Sequence, residues 1–221
     1  MKCERIPLGA QGAYLDTYFL ADSPELKAGA CRPAVVVCPG GGYAYTSDRE
    51  AEPIALALCA RGFHACVLRY PCAPARFPAA LRALAEAVAW VRAGAAENHV
   101  DPRQISVCGF SAGGHLAGSL GVFWNAPFLA AETGLAPQDM RPDKMVLCYP
   151  VITGGEFAHK GSFDNLLGAD ADAARRAEVS LEQHVTQDTP PAFLWHTYTD
   201  PGVPVENTMV FAMALRRAGV P

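Results

Sequence analysis

The chain has 221 residues, 51% hydrophobic and 18% charged, a balance that supplies a globular core and excludes a disordered chain or a coiled coil. A formal net charge of −4 offers no electrostatic reason to bind nucleic acid or an anionic membrane. No apolar run approaches the ~20 residues of a membrane span. The length sets the expectation of a single domain over residues 1–221. The start, Met1-Lys2-Cys3-Glu4-Arg5-Ile6, is charged and lacks the apolar stretch of a secretory signal. Eight cysteines show no CxxC pair and no ligand spacing with histidine, which predicts reduced thiols, no metal site and a cytoplasmic setting.

Short β-branched runs alternate with Ala-rich helical stretches. Residues 13–20 alternate as an antiparallel strand does, and 33–38, with Ala-Val-Val-Val-Cys at its heart, reads as a strand buried on both faces. A helix is predicted over 48–60, capped by Ser47 or Asp48 and ended by Gly62. A strand at 63–70 follows, then a helix over 77–94 whose Leu81, Leu84, Val88 and Val91 share one apolar face. The strand at 104–109 runs directly into a helix from Ala112 to about Trp124. Beyond the strand at 144–149, residues 151–189 form an irregular covering segment with a polar helical patch near 169–182. A last strand at 191–198 and a last helix at 205–218 complete the series. Such alternation predicts an α/β fold with a doubly wound, mostly parallel sheet, whose ligands gather at the carboxyl ends of the strands.

Three signals fall at those ends. Gly109-Phe110-Ser111-Ala112-Gly113 matches G-x-S-x-G between a strand and a helix, where small neighbours let a nucleophile sit on a sharp turn and the following helix aims amides at developing negative charge. Pro39-Gly40-Gly41-Gly42-Tyr43 follows the buried strand, and its unobstructed amides suit an oxyanion hole. The rival phosphate loop lacks its Lys and Ser/Thr, and G-x-G-x-x-G is not formed. Asp200, in Thr199-Asp200-Pro201-Gly202, follows the last strand, where a carboxylate could orient a histidine. An Asp before Pro-Gly also suits a plain turn.

With these residues the chain resembles the α/β-hydrolases of esterase/lipase type, near the acetylxylan esterases and the BD-FAE-like carbohydrate esterases. The resemblance rests on Val36 to Tyr43, Gly109 to Ala117, His159 to Gly168 and Trp195 to Asn207. It implies the α/β-hydrolase fold, no cofactor, and cleavage of short acyl, chiefly acetyl, esters of small molecules or sugars. By position it implies Ser111 as nucleophile and Asp200 as acid. It also implies the amides of Gly41, Gly42 and Ala112 as oxyanion donors, with Tyr43 and His159 as substrate contacts. In that family the catalytic histidine follows the acid, after one further strand, whereas none of the six histidines here lies after Asp200. His115 and His196 read as packing residues, His159 as a loop-ordering one, and His64, His99 and His184 have no motif around them. The expectation is therefore a domain lacking its C-terminal strand and helix, crippled in activity and inclined to self-associate through the exposed sheet edge. The alternatives are a peptidase or amide hydrolase on the same fold, or a non-catalytic scaffold.

Overall fold

The apolar run at residues 34–38 lies at the centre of a seven-stranded sheet in a computed structural model that describes residues 1–9 and 12–221. In chain order the elements are β1 (Lys2–Pro7), β2 (Tyr14–Phe19), α1 (Pro24–Lys27), β3 (Arg32–Cys38), α2 (Glu52–Cys59), β4 (His64–Arg69), α3 (Ala79–Ala93), β5 (Val100–Phe110) and α4 (Ala112–Phe123). Then come α5 (Pro127–Thr133), α6 (Pro137–Met140), β6 (Lys144–Cys148), α7 (Lys160–Leu167), α8 (Ala173–Ala177), β7 (Ala192–Trp195) and α9 (Glu206–Arg217). The strands pair in the order β1-β2-β4-β3-β5-β6-β7. β1 and β2 are antiparallel, as are β2 and β4, while β4, β3, β5, β6 and β7 run parallel. The mostly parallel, doubly wound α/β sheet expected from the alternation is the one observed.

Burial explains which strands read clearly. Val36 and Cys38 of β3, Ile105 and Val107 of β5 and Leu147 of β6 face the larger core, into which α3 and α4 pack Leu81, Leu84, Val88, Leu116 and Leu120. Their neighbours Val35, Val37, Cys108 and Phe110 face the other side, where α2 contributes Ala55 and Cys59. A Val or Leu fully buried in this way contributes roughly 1.5–3 kcal/mol, so a register slip of one residue would be costly. All eight cysteines are free, and burial pushes the thiols of Cys38 and Cys66 well up. Among the described residues, no helix is long and apolar enough to cross a membrane.

The second face is covered unevenly. Beyond α2, an open groove of about 500 Å³ is lined by Val35, Leu58, Phe63, Cys108, Val146 and Phe193. β7 closes the sheet as an edge strand, and its Phe193 and Trp195 are 62% and 48% exposed.

Several predicted boundaries shift. The helix expected over 48–60 is broken: a 3-10 turn (Asp48–Glu50) precedes α2, separated from it by Ala51 at φ −112°, ψ −109°. Ser47 makes no side-chain cap there. The covering segment places its principal helix at α7, earlier than the patch expected near 169–182, which holds only the five-residue α8 and a 3-10 turn (Leu181–Gln183). β7 stops at Trp195, so His196 lies just past the strand. β1 and the short helices α1, α5 and α6 had no prediction.

Candidate active site

The sheet order brings the carboxyl ends of β3 and β5 side by side, with Cys38 paired to Gly109. The chain winds from β3 outward to β4 on one side and through β5 to β6 on the other, so the crevice between β3 and β5 is where a doubly wound sheet opens to a ligand. The glycine loop after β3 and Ser111 after β5 therefore face each other.

Ser111 adopts φ 53°, ψ −119°, a sparsely populated conformation for a side-chain-bearing residue. Hydrogen bonds on both sides hold it. Its N–H donates to Cys148 O at 3.0 Å, and its carbonyl accepts from His115 N and Val151 N at 3.1 Å. Its hydroxyl has no hydrogen-bond partner among the described residues. The elbow also needs bare backbone on either side. A Cβ on Gly109 would overlap the carbonyl of Gly113, and a Cβ on Gly113 would overlap the carbonyl of Cys38. Gly113→Ala is accordingly expected to cost more than ~3 kcal/mol, as overpacking against backbone does. A denaturation midpoint equal to that of the parent chain would show that the elbow can open.

On the facing loop, Gly41 takes φ +130° with Tyr45 O against the place of a Cβ. The Gly41 and Gly42 amides donate to no acceptor among the described residues, and the Ala112 amide, at the first position of α4, has no intrahelical one. Asn165 on α7 donates to Gly42 O at 2.9 Å, pinning the loop to the covering segment. The resulting cleft, of about 420 Å³, is lined by Gly41, Gly42, Ser111, Tyr149, His159 and Asp200, and also by Tyr45, Arg49 and Glu50.

Asp200 reaches this cleft from the loop after β7. One oxygen accepts from Gly202 N at 2.8 Å and Val203 N at 2.9 Å. Burial pushes its carboxyl up, but the Val203 and Gly202 amides, with His196 and His159 nearby, outweigh that and hold it below the usual carboxylate range. The second oxygen lies 3.7 Å from His196 Nε2.

The histidines divide by what their nitrogens already do. His196, with 2% of its side chain exposed, donates from Nε2 to Val203 O at 2.9 Å and accepts at Nδ1 from the Thr208 hydroxyl at 2.7 Å. It is a buried structural residue, as expected. His115 donates from Nε2 to Val179 O at 2.9 Å and accepts from the Tyr43 hydroxyl at 2.8 Å, and burial pulls its pKa down to about 4. This pairing corrects the expectation for Tyr43, which is 3% exposed and spends its hydroxyl inside the core instead of lining the cleft. His159 does line the cleft, and it also caps α7, with Nδ1 accepting from Ser162 N at 3.3 Å and lying 2.8 Å from Ser162 Oγ. A ring that accepts at Nδ1 in this way bears its N–H at Nε2.

Three polar residues of the site carry no motif: Glu50, Tyr149 and Asn165. Tyr149 directly follows β6 at the ligand-gathering edge of the sheet, and that position was the available signal for it. Glu50 had none, because long-range packing brings it to the glycine loop, and Asn165 lay in the His159 to Gly168 stretch of the resemblance without a role of its own.

The sequence model of the BD-FAE family matches residues 21–215. Endo-1,4-beta-xylanase B of Butyrivibrio fibrisolvens is 37% identical over 199 residues, covering 86% of this chain and 30% of that protein. Acetylxylan esterase of Xylanibacter ruminicola is 29% identical over 212 residues, 91% of this chain and 39% of that one. The chain thus spans less than half the length of either curated relative. Among solved structures, the acetyl ester-xyloside bifunctional hydrolase from Caldicellulosiruptor lactoaceticus superposes with a TM-score of 0.86 at 38% identity, over 99% of this chain and 83% of that one.

Proposed function

Because the chain belongs to the BD-FAE family of esterase-type α/β-hydrolases, we propose that it is a serine carboxylesterase acting on short acyl esters, chiefly acetyl esters of carbohydrate. The observation that carries this reading is the strained Ser111 facing the glycine loop, its hydroxyl and the Gly41 and Gly42 amides all without partners among the described residues. Ser111 Oγ attacks the acyl carbon, and the carbonyl oxygen takes up negative charge before the amides of Gly41, Gly42 and Ala112. The alcohol leaves, and water then releases the acid from the acyl-serine. Asp200, ionised at neutral pH, is the carboxylate that would orient the imidazole taking the Ser111 proton and returning it to the leaving alcohol; none of the six histidines lies after Asp200, where that class of hydrolase places this base. His159, with Nδ1 committed to α7, presents an N–H to the cleft and acts as a donor to the substrate. Acetyl and sugar specificity are supported by the names of the similar proteins and by the modest cleft volume of about 420 Å³.

A binding role on the same scaffold is the second reading. Its support is that His159 alone among the described histidines lines the cleft. A fluorophosphonate probe separates the two. Labelling at Ser111, with acetate released from acetylated xylo-oligosaccharides, is the result expected of the esterase. Binding of those oligosaccharides with no label and no acetate would favour the scaffold.

A further inference from the structure

The cleft lining includes a carboxylate that the reaction above does not use. Glu50, at the end of the 3-10 turn after the glycine loop, accepts from Gly40 N–H at 2.7 Å through one oxygen. Its other oxygen accepts from the Tyr149 hydroxyl at 2.8 Å. Its two partners belong to different loops, one after β3 and one after β6. Between them lies Ser111: a Cβ placed on Gly40 would meet Glu50 Oε2 at 2.7 Å and Ser111 Cβ at 3.1 Å. Tyr149 is itself held in an unusual conformation, φ 37°, its N–H donating to Trp195 O at 2.6 Å. The preceding residue, Cys148, supplies the carbonyl that takes the Ser111 N–H.

We propose that Glu50 is a positioning residue for the reaction at Ser111, its carboxylate bridging the Gly40 amide and the Tyr149 hydroxyl so that the loops flanking the nucleophile keep one fixed separation. The proposal rests on the reading of Ser111 as nucleophile. The field of Glu50 has the wrong sign to help directly, since a negative charge beside Ser111 opposes the oxyanion. What it supplies is geometry. By taking the Gly40 amide it sets the peptide planes that follow, leaving Gly41 and Gly42 as the donors. Burial and the neighbouring Glu50 carboxylate push the Tyr149 phenol up, so it remains a donor throughout the working range.

The two contributions, shape and charge, come apart on substitution. Glu50→Ala removes both bonds and is expected to lower kcat on a short p-nitrophenyl ester by about 30-fold at a KM within about twofold, the scale of a misplaced catalytic loop. Glu50→Gln can keep both bonds, its amide oxygen on Gly40 and its amide nitrogen on a Tyr149 hydroxyl turned to accept. It is expected to recover kcat to within about threefold of the parent. Tyr149→Phe should lower kcat about fivefold alone and add nothing in the Glu50→Ala background, as members of one bridge do. Should Glu50→Ala fail to fold, the Glu50→Gln and Tyr149→Phe pair still carries the test. If the parent chain takes the fluorophosphonate at Ser111 but Glu50→Ala keeps its kcat, or Glu50→Gln is as impaired as Glu50→Ala, the positioning role is overturned alone. If a chain that carries a histidine beyond Asp200 neither labels at Ser111 nor turns over ester, the Ser111 reading falls and the role of Glu50 with it.

Discussion

Ser111→Ala is expected to abolish fluorophosphonate labelling and any hydrolysis of a short p-nitrophenyl ester that the parent chain shows. The substitution removes one oxygen that has no hydrogen-bond partner among the described residues. The elbow bonds from Ser111 N to Cys148 O and from His115 N and Val151 N to Ser111 O are backbone bonds and survive. Stability should therefore change little, because alanine is as strained as serine at φ 53°. Ser111→Gly gives the complementary result: equally inactive, but more stable by roughly 1–2 kcal/mol as the strain is relieved. Activity retained in either variant would remove Ser111 from the mechanism.

In a chain that carries a histidine beyond Asp200, Asp200→Asn is expected to lower kcat by up to ~10⁴, the scale found when an orienting carboxylate is neutralised. Asparagine keeps an oxygen to accept the Gly202 and Val203 amides, so the loop persists and only the charge is lost. Asp200→Ala loses the turn as well and should be the less stable of the two. The pH dependence has a definite sign. The folded-state pKa of Asp200 is depressed, so its contribution is present above the unfolded value near ~3.9 and fades as pH falls through the lower folded value. The Asn variant lacks that acid-side loss. A decrease in kcat of less than about tenfold would make Asp200 a turn former only.

The interior of the sheet was readable because its strands are buried on both faces and show as continuous apolar runs. The elbow was readable because its steric demands select glycines at 109 and 113. What escaped was set by contacts distant in sequence. The capping signal at Ser47 and Asp48 did not foresee the break at Ala51, where the chain turns Glu50 back toward Gly40. β1, exposed along nearly its whole length, lacks the alternation that marks a half-buried strand, and only its pairing with β2 orders it. Tyr43 beside the glycine loop looked like a substrate contact. Its partner, His115, lies 72 residues away in sequence, and no local pattern reports such a pair. His159 illustrates a role that reads only in part, since its place in a motif was visible but the commitment of Nδ1 to the first turn of α7 was not.

The strands that carry the site are not equally braced. β3, β5 and β6 are each hydrogen-bonded on both sides, whereas β7 pairs in the sheet only with β6. Ser111, the glycine loop and Tyr149 thus hang from the stiff interior of the sheet, while Asp200 hangs from its rim. The His196 bonds to Val203 and Thr208 tie that rim to α9, and the Ala192 N–H bond to Pro221 O adds a second tie beside the ladder to β6. Within residues 1–221, a shift of β7 against β6 would change the distance between Asp200 and Ser111 while leaving the glycine loop, Ser111 and Tyr149 where they are.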